Sequence, residues 1–167
     1  ALAVISGLAD KDKYPAIKQL FRTEMHASPY MEKYVTDACF VMGDGEYGME
    51  RVRERYKKMV EHPDYTTLFE GWGIGAEGFG GGTTNHAWSG GMLTVIAENI
   101  CGVRPLVPGW SEFEIRPYPV ISECNIMIPS IKGNVRSAFK DSEESFVLSV
   151  TVPDGTTATV VLPGADY

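Results

Sequence analysis

A helical half followed by a small antiparallel β-domain is the architecture this sequence predicts. Three observations carry it. Apolar residues recur every three to four positions up to about residue 104, the recurrence tightens to every second position after Pro108, and Gly, Pro and Asp cluster between the later runs. The division is expected as 1–108 and 109–167. With 167 residues and 44% apolar content, the chain can bury a core in one full domain or two small ones.

The helices follow in order. Leu2, Ile5, Leu8 and Ala9 share one helical face at the start of the chain, with no initiator Met, no basic leader and no N-cap. This opening predicts a chain entered partway through a larger helical protein. Asp12 with Pro15 just inside starts a second segment carrying Ile17, Leu20, Phe21 and Met25 inward. Ser28 followed by Pro29 is a cap and first turn, and Tyr30, Tyr34, Val35, Ala38 and Met42 continue the stripe to Gly43. Asp44 is expected to cap a helix that buries Met49, Val52, Tyr56 and Met59. Glu50, Glu54 and Lys58 stay solvated there, with Glu54 and Lys58 as an i,i+4 pair. His62 and Pro63 stop it. A fifth helix runs from about His86 to Cys101, capped by Thr84 or Asn85 and closed by Gly102 and Pro105. Five segments with short joins pack as antiparallel neighbours. The strands are expected at 112–116, 125–128, 135–139, 146–152 and 157–162.

Composition removes several function classes. A formal charge of −7 would repel phosphate backbones and anionic lipid, so neither a nucleic acid nor a membrane is an expected partner. The longest apolar stretch, Met92 to Ile100, is far short of the ~20 residues of a membrane span. Cys39, Cys101 and Cys124 are odd in number and widely spaced, which reads as buried reduced thiols rather than a disulfide frame. His26, His62 and His86 share no local metal spacing, so neither a metal nor another cofactor is expected.

The unusual stretch is 65–91. Between Gly71 and Gly82, seven of the chain's 18 glycines fall in twelve positions, a density no regular element tolerates. Gly73, Gly75 and Gly78 match a dinucleotide fingerprint by spacing. That motif needs a buried strand before the glycines and a helix opening at them, and the neighbours here read as helices. Ser89 lacks the frame of a nucleophile elbow. More informative is what the stretch carries. Glu70 lies between Phe69 and Trp72, where a carboxylate poised against water can act as a general base. His86 and Trp88 follow at a helix start, where imidazole and indole can bind hydroxyls and stack on a sugar. The same residues also have a purely structural reading, in which Glu70 binds a backbone amide, His86 is a first-turn histidine, and Trp72 and Trp88 anchor the core. Glu77, the other carboxylate in the tract, reads as solvated.

At these residues the chain resembles the C-terminal part of bacterial α-L-rhamnosidases. The segments that carry the resemblance are TTLFEGW at 66–72, NHAWSGG at 85–91, GVRPLVPGWSEFEIRP at 102–117 and VPDGTTATVVLPG at 152–164. Gly71 departs from the family, where Arg is common, and the glycine tract is richer. The resemblance implies the closing part of an α/α six-hairpin toroid followed by a small antiparallel β-sandwich. It further implies an inverting glycoside hydrolase in which Glu70 activates water, His86 holds the sugar, and Trp72 walls the subsite. The general acid would lie upstream of Ala1. The implied partners are a carbohydrate substrate and the missing N-terminal part, with self-association of a fragment cut from it and no activity on its own. The cellular compartment is left open. Two other readings stand beside this one: a glucoamylase-like or trehalase-like enzyme on the same toroid, and a non-catalytic carbohydrate-binding module using Trp72, Trp88 and Trp110 as a platform.

Overall fold

A computed structural model describes residues 1–75, 77 and 82–164. Gly78, Gly80 and Gly81 of the glycine tract lie outside the described residues, as does the last position of the dinucleotide-type match. The chain divides into two units, Ala1–Val95 and Ile96–Tyr167.

The first unit is helical: α1 (Leu2–Ile5), α2 (Tyr14–Thr23), α3 (Pro29–Val41), α4 (Gly45–Val60) and α5 (Gly91–Val95), the last preceded by a 3₁₀ turn, Ala87–Gly90. Helix α3 starts as its sequence requires, with Ser28 Oγ accepting from the Met31 amide at 3.4 Å and Pro29 in the first turn. Val4, Phe21, Val35, Ala38, Cys39 and Met42 form the core, with Ile17 and Tyr47 packed against it. Gly48 lets α4 approach α3, because a Cβ there would sit 3.0 Å from that of Cys39.

Four local expectations are not met, two of them because a tertiary partner wins. Helix α2 ends at Thr23, so Met25 and also Leu20 remain exposed. Asp44 does not cap α4; its carboxylate takes both arms of the Arg22 guanidinium at 2.7 and 2.9 Å, a bidentate pair stronger than a cap bond. Lys58 bonds Glu77 rather than Glu54. Neither Thr84 nor Asn85 caps the last helix; the cap position is His86, without a side-chain bond.

Beneath the solvated face of α4, the structure buries charge that the pattern did not announce. Glu32 is fully buried and binds Arg51 and Arg55 together. Arg51 also donates to the Phe21 carbonyl, and Arg55 donates to those of Met25 and Ala27, both at 2.9 Å. The extended link 24–28 is thus pinned through its own carbonyls.

In the second unit the helix closes with a π turn, Ile96–Ile100, and Gly102 turns the chain at φ +73°. Only glycine fits there, because a Cβ would fall 2.1 Å from the Arg116 carbonyl group. Among the described residues six strands follow: β1 (Val103–Pro105), β2 (Glu112–Ile115), β3 (Glu123–Ser130), β4 (Gly133–Asp141), β5 (Phe146–Thr151) and β6 (Thr157–Val160). They make two three-stranded sheets, ordered β1-β2-β6 and β3-β4-β5. Val103, Phe113 and Ile115 of the first sheet share a core with Val135 of the second.

The all-antiparallel expectation needs one correction, since β2 and β6 pair in parallel, Phe113 opposite Ala158. A parallel pair requires a long crossover, and the excursion through β3, β4 and β5 supplies it. Strand β1, three residues long and ending in proline, is too short to show alternation.

The cysteine expectation is also corrected: Cys101 and Cys124 are joined in a disulfide. Their separation of 23 residues carries no local signal; the pairing arises because β3 passes beside the end of the last helix. Cys39 is the free, buried thiol, pushed up to about 12 by burial, and so remains neutral. Closing a loop of this length constrains the unfolded chain by about 3 kcal/mol. Replacing both Cys101 and Cys124 by Ser should therefore lower the urea midpoint and steepen the dependence on urea, because the released unfolded chain exposes more surface. An identical midpoint would show that the bond adds nothing to stability.

Candidate active site

Two arms flank the glycine tract, and backbone bonds tie them together. The Glu70 amide donates to the Thr83 carbonyl and the His86 amide to the Leu68 carbonyl, both at 2.9 Å, while Gly75 and Gly82 form a bridge. Fully buried Phe69 anchors the first arm, and its carbonyl accepts from the Ser89 hydroxyl at 2.6 Å. The Thr67 hydroxyl donates to the Thr84 carbonyl. These contacts oppose the entropy lost in ordering the two arms.

The ladder brings Glu70 and His86 side by side, 16 positions apart in sequence. Glu70 Oε2 accepts from the Thr83 amide at 3.0 Å and from the Thr83 hydroxyl at 3.4 Å. That hydroxyl also lies 2.8 Å from His86 Nδ1, which is itself 3.7 Å from Glu70 Oε2. Both side chains are about one-third exposed, at 35% and 32%. Among the described residues no Lys or Arg pairs with Glu70. A carboxylate held on one oxygen and paired with no Lys or Arg can take a proton from water.

The aromatic residues divide into two groups. The Trp88 ring is open to solvent, 4.2 Å from the His86 ring and 5.4 Å from that of Tyr30, whose hydroxyl meets that of Tyr34 at 3.3 Å. Trp72 is committed to the protein: its indole N–H donates to the Ala27 carbonyl at 2.7 Å, Arg55 covers the ring at 4.1 Å, and Tyr56 meets it edge-on. Trp110, the third ring of the platform reading, packs on Phe113 in the β-core. Glu77 stays largely exposed and hydrogen-bonds Lys58, which holds its carboxyl below the usual range. Among the described residues no strand leads into Gly73, and the first α-helix after it is α5, beginning at Gly91, so the setting of a dinucleotide site is missing there. Nor do three His, Cys, Asp or Glu side chains gather there as a metal site.

Sequence reasoning passed over Thr83, Tyr30 and the Glu32 network. Nothing in a threonine pair after glycines marks one as the link between two candidate groups. Tyr30 read as part of an apolar stripe. Arg51 and Arg55 did carry a signal, since they stand four apart on the side of α4 that also presents Tyr47.

Comparison with known proteins places this geometry in context. Residues 102–167 match the bacterial alpha-L-rhamnosidase C-terminal domain. An alpha-L-rhamnosidase of Formosa agariphila is 30% identical over 105 residues, covering 59% of this chain and 11% of that protein. Among solved structures, an alpha-L-rhamnosidase from Dictyoglumus thermophilum superposes with a TM-score of 0.80 at 22% identity, over 95% of this chain and 19% of its own. The Streptomyces avermitilis alpha-L-rhamnosidase, complexed with L-rhamnose, gives 0.74 at 22% identity, over 90% and 16%. At such identities the structural likeness is one of fold. The chain spans between a tenth and a fifth of the length of these relatives and resembles their C-terminal part.

Proposed function

We propose that this chain is the C-terminal portion of an inverting α-L-rhamnosidase-type glycoside hydrolase and that Glu70 is its general base. The observation that carries the reading is the Glu70 carboxylate, bound on one oxygen by Thr83, paired with no described Lys or Arg and set beside His86 and Trp88. In this reading residues 1–108 close an α/α six-hairpin toroid and 109–167 form the β-sandwich that follows it. His86 holds the sugar in the subsite where the bond breaks. Trp88 walls that subsite with its open ring, and Trp72 does so from behind as a fixed support.

Inversion needs a second carboxyl roughly 6.5–9.5 Å away, which protonates the leaving oxygen while Glu70 deprotonates water on the opposite face of the sugar. That acid belongs to the upstream part, and so the present chain alone is inactive. Leu2, Ile5 and Leu8 are exposed, Leu8 by 81%, and form the edge against which the upstream helices seat. A second copy of the chain would use the same edge when the upstream part is absent.

The test is to assay the longer polypeptide against chromogenic α-L-rhamnosides and α-glucosides, following the first-formed anomer by proton NMR. Release of β-rhamnose is expected. Preference for glucosides would move the chain to a glucoamylase-like enzyme, and binding without turnover would make it a carbohydrate-binding module.

A further inference from the structure

We infer that Thr83 is a positioning residue that sets both the orientation of the Glu70 carboxylate and the tautomer of His86. The Thr83 hydroxyl lies within hydrogen-bond reach of Glu70 Oε2, at 3.4 Å, and of His86 Nδ1, at 2.8 Å, but has a single proton to give. An ionised carboxylate can only accept. If the hydroxyl donated to His86, its lone pairs would face Oε2, and that contact would be repulsive. The satisfied order therefore runs from His86 Nδ1–H to Thr83 Oγ1, and from the Thr83 hydroxyl proton to Glu70 Oε2, beside the bond from the Thr83 amide.

Two consequences follow for the site. His86 in its Nδ1–H form presents Nε2 as a lone-pair acceptor, suited to a sugar hydroxyl that donates. Glu70, tied by Oε2, leaves Oε1 as the oxygen that faces water. His62 is a built-in reference of the opposite kind, because its Nδ1 accepts from the Asp64 and Tyr65 amides at 3.1 and 3.2 Å and must carry its proton on Nε2.

The catalytic meaning of this relay rests on the proposed role of Glu70, whereas the tautomer is a property of the chain itself, and the experiment separates the two. The chain is labelled with ¹⁵N-histidine, and long-range proton–nitrogen correlations are recorded at about pH 8, where neutral imidazoles dominate. His86 is assigned with His86→Gln. The expected result is a pyrrole-type Nδ1 at His86 and a pyrrole-type Nε2 at His62. Thr83→Val should shift His86 toward the Nε2–H form and Thr83→Ser should restore it, with the His62 signals unmoved in both as the control on folding. A wild-type His86 protonated on Nε2, or a tautomer indifferent to Thr83→Val, would overturn the inference. In the longer polypeptide, Thr83→Val should lower kcat about tenfold or more with KM changed less. An unchanged kcat, with the tautomer as inferred, would remove the relay from catalysis and leave the Glu70 assignment to be decided by its own variant.

Discussion

Glu70→Gln should abolish turnover by the longer polypeptide, with kcat falling on the order of a thousandfold while the fold is retained. Glutamine keeps the size and planarity of the side chain, and its carbonyl oxygen can still accept from the Thr83 amide that Glu70 Oε2 now uses. What it loses is basicity. An amide cannot take the proton that water must shed as it attacks the sugar, so the loss should fall on kcat rather than on KM. Stability should change little, because Glu70 pairs with no described Lys or Arg and is partly open to solvent. Two measurements decide the matter together: the rate on a rhamnoside and the melting temperature. Full activity at an unchanged melting temperature would remove Glu70 from the role. Lost activity with a collapsed fold would assign it to structure instead.

The largest effect on stability is expected at Glu32. Its carboxylate is 0% exposed and is shared by Arg51, itself buried, and Arg55. Burial pushes the Arg55 guanidinium below its usual range, with Glu32 opposing that shift. Glu32→Ala would leave two guanidinium groups facing each other in the interior without a counter-charge. Breaking such a buried pair from one side costs about 3–5 kcal/mol, and for a chain of this size the melting temperature should fall by roughly 10 °C. The loss would be felt near the candidate site, because Arg55 also carries the Met25 and Ala27 carbonyls and covers Trp72. A red shift of tryptophan emission should therefore accompany the drop. Glu32→Gln, which keeps the shape and one acceptor, should fall between wild type and alanine. A melting temperature that does not move in Glu32→Ala would mean that water or backbone groups replace the carboxylate.

How far local pattern reaches is visible element by element. Ser28 and Pro29 start α3 where their chemistry says, and the stripe from Met49 to Met59 lies inside α4 with Met49, Tyr56 and Met59 buried. Five strands fall on the five alternating runs, with ends that differ by a few residues. Each of these is dictated by neighbours within about one or two turns of chain, which is the range over which periodicity, caps and turn residues act. The candidate site was half visible in the same way. Glu70, His86 and Trp88 are chemically conspicuous among glycines, but Thr83, the residue that joins the first two, is not.

By itself, then, the order of residues placed α3, α4 and five of the six described strands to within a few residues, because those depend on spacing along a single segment. Partner choice between distant segments was decided only by the folded chain. Asp44 left its cap for Arg22, Lys58 turned to Glu77, Cys101 met Cys124, and β6 lay parallel to β2. The physical reason is common to all four. A side chain or strand edge satisfies itself with the strongest complementary group within reach, and reach is set by the packing of the whole unit rather than by distance along the chain.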